Sequence, residues 1–420
     1  MDTWEPITAS ALRVGHFVRI GHGWLDHPFL RRTFRIETAQ ELALLRDAGL
    51  TRLSIDPARS TVVSTAARGA SWDATADSKF DVGQESARLQ AEKAAHANAV
   101  RQRRAELLRT QLAYETSASS AERLFAELRG ASPSAGATAE ALVCETLRRL
   151  EDGGGPLSSA STHVPHTRDR RLGCLALDAM SLALAVGCRS GIRGDELELL
   201  GTGALLHGVG LRRLPDELRE EHSFASYEAQ LEFQDYPLLG CEMLRECGGF
   251  SAEVLQIVRQ HRERADGSGY PEGATSTTIH RLAPIVGAVR EFQVLSANRA
   301  VGMPAAALAH LYRNLREAYG HGVIDNLIAA VTIYPPGSFL SLSDGSIARV
   351  MRVSAESRLR PTVSLFDAAV RPDKAEILDL TETGDLNVAK VLNPAHVDGA
   401  VRHFFGDGWS GYALGVSGPR

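Results

Sequence analysis

Two histidines stand at the ends of predicted helices, and each precedes residues that favour a turn. His207 ends the apolar run Leu199-Leu-Gly-Thr-Gly-Ala-Leu-Leu-His207, and His261 follows apolar residues at helical spacing. After His261, Gly267, Gly269 and Pro271 force the chain into a loop. A histidine at a helix end beside a rigid turn is a common way to place a metal ligand or a general base in a helical bundle.

Both segments also have a purely structural interpretation. Asp-Gly and Gly-x-Gly pairs are chiefly turn formers, so the second segment could be a solvated helix end followed by a turn. His207 could act only as a helix cap, where its partial charge meets the dipole of the last carbonyl groups. The sequence leaves these alternatives open.

The order of four segments resembles the HD-GYP family of helical metallophosphohydrolases. These segments are Leu199–Gly210, Asp235–Gly240, Ile257–Gly273 and Ala283–Arg299, and the third contains the complete signature turn Asp266-Gly-Ser-Gly-Tyr-Pro271. The resemblance covers residues 168–299. It implies a phosphodiesterase for cyclic di-GMP, with two or three iron or manganese ions and a bridging hydroxide that attacks the phosphorus.

Most metal ligands that the resemblance implies are replaced in this chain. The aspartate of the His-Asp pair is Gly208, and the lysine expected shortly after it is Leu211. The first helix lacks its histidine between residues 167 and 206, although His163 and His166 lie upstream. At four further ligand positions, one histidine is Tyr236, another is Arg262, and two aspartates are Arg290 and Gln293.

These replacements predict a site that has lost its metal ions. His207 and His261 remain as vestigial ligands, and two imidazoles without a carboxylate rarely hold a catalytic pair of metals. We therefore expect neither catalytic residues nor a cofactor. The alternative is an active phosphohydrolase that holds iron or manganese with a reduced set, through His207 and His261 with Glu263 or Asp266 recruited.

The remaining site residues are predicted to bind a ligand or a partner. Arg262 and Arg290 place fixed positive charge where cations would sit, and would bind a phosphate, hold the helices around Glu263, or form ordinary ion pairs. The turn offers the residues Asp266, Gly267, Gly269, Tyr270 and Pro271 as a rigid surface for a protein partner or a guanine base. The alternative is that this turn binds nothing and is needed only for folding. The predicted function is binding of cyclic di-GMP, or of a cyclic di-GMP synthase or other signalling protein, without hydrolysis.

The composition predicts a cytoplasmic protein. A net charge of -5 gives no reason to expect a nucleic-acid polymer as partner. Five cysteines without Cys-x-x-Cys spacing are expected to be reduced. The acidic N-terminus does not look like a signal peptide. The longest apolar helix, Leu172 to Val186, is too short to span a membrane and contains Asp178.

The elements that position the site predict a mainly α fold in several parts. Residues 1–60 form a small α+β regulatory domain that looks like the one often found ahead of HD-GYP domains, and residues 61–84 form a flexible linker. Residues 85–155 form a helical connector whose segment 85–129 could pair in a homodimer. The HD-type helical bundle occupies residues 156–325, and a β-rich extension occupies residues 326–420.

Overall fold

The fold is mainly helical, with a small sheet before the helices and a second sheet after them. The structure, a computed structural model, describes residues 4–62 with gaps at 22–26, 28 and 30–32, and then 82–151, 168–219, 226–297 and 304–405 with short gaps after 331. The chain divides into two compact units, residues 1–105 with 367–377, and residues 106–366 with 378–420. The predicted fold class is confirmed.

The N-terminal part is a four-stranded antiparallel sheet covered on one face by a helix. The strands are β1 (Glu5–Ile7), β2 (Phe17–Ile20), β3 (Thr33–Arg35) and β4 (Leu53–Asp56), in the order β1-β4-β2-β3. Thr38 followed three residues later by Glu41 predicts a capping box at the start of helix α1 (Ala39–Asp47). The structure has this box, since each of the two side chains accepts a backbone hydrogen bond from the other residue. Its Leu44 and Leu45 bury the sheet's apolar face.

A single helix of 48 residues, α2 (Val82–Arg129), follows. Its last part joins the main helical core through Ala118, Leu124 and Phe125. Leu108 and Leu112 remain 53% and 62% exposed, and self-association through residues 85–129 stays a prediction. The predicted linker falls mainly on residues 63–81, which lie outside the described residues.

Ten further helices lie in the described part of the helical bundle. They are α3 (Ala135–Glu151), α4 (Arg168–Arg189), α5 (Asp195–Leu206), α6 (Tyr227–Gln234), α7 (Tyr236–Cys247), α8 (Ala252–Gln260), α9 (Ala283–Ala297), α10 (Pro304–Asn314), α11 (Arg316–Tyr319) and α12 (His321–Ala330). One window, Leu172–Arg189, is long and apolar enough to cross a membrane, but 72% of it is buried in the bundle, as in a core helix. Apolar spacing in the sequence predicts one helix from Tyr227 to Glu246. That prediction is wrong, because the helix ends at Gln234 and a second one begins at Tyr236, with a break at Asp235.

The C-terminal part is a five-stranded antiparallel sheet. Its strands are β5 (Phe339–Leu342), β6 (Ile347–Arg352), β7 (Thr362–Leu365), β8 (Ile377–Asp379) and β9 (Val388–Leu392), in the order β8-β7-β6-β5-β9. A short helix, α13 (Gly399–Phe405), ends the described chain, and Phe404 and Phe405 are buried. Short alternating runs in the sequence predict strands at 339–342, 347–353, 363–366 and 375–380, which correspond to β5 to β8. The sequence predicted neither β9 nor α13.

Candidate functional site

Helix α5 delivers His207 into the core of the bundle. His207 is the C-terminal cap residue of α5 and is 4% exposed. Its ring Nδ1 donates to the carbonyl oxygen of Ala204 at 2.7 Å. Because a carbonyl oxygen only accepts, Nδ1 carries the proton and the lone pair of the neutral ring lies on Nε2.

His261 follows α8 in the same manner and lies beside His207. Its Nδ1 donates to the carbonyl oxygen of Val258 at 2.6 Å. Helices α5 and α8 approach closely, since a Cβ atom on Gly203 would collide with the side chain of Ile257. The centroids of the two imidazole rings are 5.2 Å apart, with the ring planes at 77°. The structure therefore brings the two predicted histidines into one site.

Tyr236, the first residue of α7, fills the space next to His261. The side chain is fully buried, and its hydroxyl oxygen lies 2.6 Å from Nε2 of His261. Since Nδ1 of His261 carries the ring proton, the hydroxyl donates and Nε2 accepts. Both ring nitrogens of His261 are thus engaged within the protein.

Two buried arginines adjoin the histidines. Arg262 and Arg290 are each 5% exposed. Nε of Arg262 donates to the hydroxyl of Tyr270 at 2.8 Å, and its Nη1 lies 3.3 Å from a carboxylate oxygen of Glu291 on α9. The carboxylate that Arg262 pairs with is therefore Glu291 and not Glu263, so of the alternatives that the sequence left open for Arg262 the structure has the ion pair.

Both histidines are neutral at physiological pH. Burial lowers the pKa of His207 to about 3, and the positive charges of Arg290 and Arg262 act in the same direction. The pKa of His261 is lowered well below 6.5, first by burial and then by His207 and the two arginines. Neither imidazole can act as a general base that becomes charged near pH 7.

Glu263 fastens the turn that follows α8. Its two carboxylate oxygens accept hydrogen bonds from the backbone nitrogens of Glu272 at 2.7 Å and Ala274 at 2.8 Å. Gln260 adds a second attachment, because its side chain donates to the carbonyl oxygen of Thr278 at 3.1 Å and accepts from the backbone nitrogen of His280 at 2.7 Å. Glu263 is consequently a structural residue of the turn rather than a residue that faces the two histidines.

The signature turn itself is tightly shaped. A Cβ atom on Gly269 would lie 2.5 Å from Cα of Glu263 and 2.6 Å from the carbonyl oxygen of Arg262, so only glycine fits there. Gly267 has a φ of 76°, which L side chains rarely adopt. The exposed Asp266 accepts from the backbone nitrogen of Ser268 at 2.9 Å, and hydrogen bonds from Ser268 lower the pKa of Asp266. The peptide between Tyr270 and Pro271 is cis, and both side chains are half-buried.

The resemblance implies metal ions at this centre, so the donor set can be tested for fit. Among the residues that the structure describes, no group of three or more histidine, cysteine, aspartate or glutamate side chains could hold a metal ion. The donors at the centre are two imidazoles, one of which already uses both nitrogens, beside a guanidinium that cannot become a ligand. This set does not fit a pair of catalytic metals. His163 and His166 lie outside the described residues.

Sequence reasoning missed Glu291. This residue neutralises Arg262, and Nη2 of Arg264 lies 3.9 Å from the same carboxylate oxygen. The signal in the sequence was an acidic residue directly after Arg290, the position at which the resemblance implies an aspartate. Its partners come from the end of another helix, so the spacing along the chain could not identify them.

Comparison with known proteins assigns a domain type to each of the three parts. Residues 6–138 match a domain of unknown function, DUF3391, residues 164–323 match the HD domain, and residues 339–400 match a KOW domain associated with HD domains.

Two bacterial relatives and one solved structure are similar to the chain. It is 25% identical to the cyclic di-GMP phosphodiesterase PA4108 of Pseudomonas aeruginosa, over 93% of this chain and 92% of the relative. It is 23% identical to the cyclic di-GMP phosphodiesterase PdeB of Borreliella burgdorferi, over 58% and 63%. A structure of an HD-GYP-type protein from Bdellovibrio bacteriovorus covers 77% of this chain and 98% of that one, with 19% identity and a TM-score of 0.44.

Within the residues that match the HD domain, a histidine ends α5 and the Asp266–Pro271 turn follows α8. The chain therefore carries an HD domain between a DUF3391 domain and a KOW domain, and is a distant homologue of the HD-GYP cyclic di-GMP phosphodiesterases.

Proposed function

We propose that this protein takes part in bacterial cyclic di-GMP signalling by binding the nucleotide or a protein partner, without hydrolysing the nucleotide. The relatives support the signalling system, because the alignment with a cyclic di-GMP phosphodiesterase extends over almost the whole of both chains. The residues at the centre support the absence of hydrolysis.

The hydrogen bond from Tyr236 to His261 carries this proposal. A metal ion at His261 needs the lone pair of Nε2, and the Tyr236 hydroxyl occupies it at 2.6 Å. Both side chains are fully buried, so the phenol cannot leave this position without opening the bundle. A divalent cation would also be repelled by Arg290, whose positive charge already acts on both histidines.

The closure of the centre also supports a binding role elsewhere on the protein. His207, His261, Tyr236 and Arg290 are each at most 5% exposed. A nucleotide in an HD-type active site must reach its reactive groups from solvent, and this centre offers no exposed group to it. The outer face of the signature turn, in contrast, is exposed at Asp266, Ser268 and Glu272 and is held rigid by Glu263. A preformed exposed loop is well suited to a protein partner because little flexibility is lost on binding.

One purified sample tests the proposal through three measurements. Metal content, hydrolysis of cyclic di-GMP with added manganese or iron, and calorimetric titration of cyclic di-GMP would be measured together, with the Pseudomonas aeruginosa relative as positive control. We expect less than stoichiometric metal and no turnover above buffer. Turnover that disappears on His261→Ala would overturn the proposal and establish the alternative, a phosphodiesterase with a reduced ligand set.

The partner interaction has its own test. A purified cyclic di-GMP synthase would be titrated against the full chain and against Asp266→Lys, which reverses an exposed charge on the turn. Glu217→Lys, an exposed acidic residue outside the turn, is the matched control. Weaker binding by Asp266→Lys alone would support a partner surface at the turn. Equal binding by Asp266→Lys and Glu217→Lys would contradict a partner surface at the turn.

A further inference from the structure

One residue, Arg262, holds Tyr270 of the signature turn at both ends. The backbone nitrogen of Tyr270 donates to the carbonyl oxygen of Arg262 at 3.2 Å, and the Tyr270 hydroxyl accepts from Nε of Arg262 at 2.8 Å. The ring of Tyr270 meets the ring of Tyr236 at a steep angle, with the two centroids 6.4 Å apart. The aromatic residue of the turn is therefore anchored to the end of α8 and to the closed centre.

Glu291 holds the other side of the same guanidinium group. Its carboxylate oxygen lies 3.3 Å from Nη1 of Arg262, and the side chains of Arg262 and Glu291 are only 5% and 13% exposed. An ion pair with so little exposure is weakly screened by solvent and salt. A guanidinium is planar and donates from Nε and Nη1 in fixed directions, so Arg262 can join Tyr270 to α9 at one time. We call Arg262, Glu291 and Tyr270 the clasp.

Helix α9 is a firm anchor for the clasp, because it packs closely on its neighbours. Gly287 lies one turn before Glu291 on the same face of α9. A Cβ atom on Gly287 would collide with the carbonyl oxygen of His261 and would lie 2.8 Å from Cε1 of Tyr319. The side chain of Tyr319 is in turn hydrogen-bonded to Arg264. Glu291 therefore cannot shift without moving the end of α8 and α11.

A second arginine of α8 reaches the same turn but remains at the surface. Arg259 pairs with Glu272, and the two side chains are 38% and 41% exposed. Exposed ion pairs contribute little, because water competes for both charges. Of these two arginines, Arg262 is thus the one whose contacts can fix the conformation of the turn.

We propose that Arg262 is the positioning residue of the signature turn. It holds Tyr270 inward against α9, so that Asp266 and Ser268 face solvent in one preformed arrangement. A fixed guanidinium joins the end of α8, the turn and α9 at a position where the resemblance implies a metal ligand. The consequence for partner binding rests on the proposed function, whereas the ordering of the turn rests on the clasp alone.

Hydrogen exchange of the full chain tests the clasp, because an amide exchanges when its hydrogen bond opens. The reporter is the amide of Tyr270, which donates to Arg262. The test variants are Arg262→Lys, which keeps the charge and loses the planar fork, Tyr270→Phe, which removes one hydroxyl, and the two changes combined. Arg259→Lys is the matched control, since it makes the same change in the exposed pair on the same turn.

Arg262→Lys should speed exchange of the reporter about tenfold, because a charge-assisted hydrogen bond and the geometry of the ion pair are lost together. Tyr270→Phe should speed it about fivefold, because only the hydroxyl is lost. The combined variant should be no faster than Arg262→Lys, since both changes break the same contact. The control should match the unchanged protein. Amides of α4, in the core of the bundle, should keep their rates in every variant.

Two results would overturn the clasp. The first is a reporter rate that is unchanged in Arg262→Lys and in Tyr270→Phe. The second is exchange that speeds equally in the turn and in α4, because Arg262 would then only stabilise the whole bundle. If thermal melting shows that Arg262→Lys does not fold, Tyr270→Phe decides alone, since it leaves the guanidinium and Glu291 in place.

Titration of a purified cyclic di-GMP synthase against the same variants tests the consequence for partner binding. Arg262→Lys and Tyr270→Phe should bind the synthase at least about threefold more weakly than Arg259→Lys, because a turn that opens must be ordered again on binding. Faster reporter exchange with unchanged synthase binding would overturn the presentation of the turn to this partner. Faster reporter exchange with a synthase that binds no form of the chain would uphold the clasp and refute the protein partner of the proposed function.

Discussion

Replacement of Tyr236 by phenylalanine removes one hydroxyl group from the closed centre and leaves the ring in place. That hydroxyl donates to Nε2 of His261 at 2.6 Å, and neither side chain reaches solvent. In Tyr236→Phe the lone pair of Nε2 loses this donor, and Nδ1 is already committed to Val258. The variant therefore tests whether the phenol holds the centre together in place of a metal ion.

The expected loss of stability follows from the burial. A buried polar atom that loses its hydrogen-bond partner costs about 1–3 kcal/mol of the free energy of unfolding. For a domain of 150–250 residues, each 1 kcal/mol lowers the melting temperature by about 2–4 °C. We therefore expect a decrease of about 2–12 °C. A second effect is a rise in the pKa of His261, because the hydroxyl stabilises the neutral ring.

Urea denaturation at pH 7 measures this loss, with Tyr227→Phe as the matched control. Tyr227 lies on α6 and is 71% exposed, so loss of its hydroxyl should change the free energy of unfolding by less than about 0.5 kcal/mol. Equal stability of both variants would refute the role given to Tyr236. Metal content should stay low in Tyr236→Phe, because the variant keeps the positive charge of Arg290 and adds no carboxylate to the centre.

Three further predictions concern the turn and the histidines. Glu263→Gln keeps one acceptor of the two that hold the turn, and should cost about 1–3 kcal/mol and speed hydrogen exchange of the two amides it binds. Gly269→Ala should displace the turn, because a Cβ atom has no room at this position. A lower melting temperature and weaker partner binding would report the displacement. In the unfolded state His207 and His261 bind protons near pH 6.5, whereas in the folded state the pKa of both histidines is lowered. Their contribution to the free energy of unfolding is therefore complete above about pH 6.5 and decreases as the pH falls toward the lowered folded pKa values. Urea denaturation at pH 5 should give about 2–4 kcal/mol less stability than at pH 7 through these two groups, and an unchanged value would contradict their burial.

Local signals in the sequence predicted most of the secondary structure. The capping box of Thr38 and Glu41 predicted the start of α1. Alternating apolar residues predicted β2, β4 and β5 to β7 close to their observed bounds. The break at Asp235 was missed because apolar spacing continues through it. In the structure Phe233 and Tyr236, on the two sides of the break, lie in one small hydrophobic cluster. Strand β9 was missed because its exposed residues do not alternate clearly.

The sequence also predicted that several metal-ligand positions of the HD-GYP family hold other residues in this chain. Gly208, Tyr236, Arg262 and Arg290 are read directly from the aligned motifs. What these residues do was not visible, because a side chain's partner depends on which helices meet. The pairing of Arg262 with Glu291 and the attachment of Glu263 to the turn each join residues that are separated along the chain.

The sequence by itself determined the order of the parts and the helical class of the centre, and it predicted the loss of oxygen and nitrogen donors, because these follow from residue types and their spacing. Only the tertiary structure decided that the two histidines lie 5.2 Å apart, that a phenol occupies the nitrogen a metal would need, and that the centre is closed to solvent. Burial and hydrogen-bond geometry arise where separate helices pack, and it is burial that keeps both imidazoles neutral and in place.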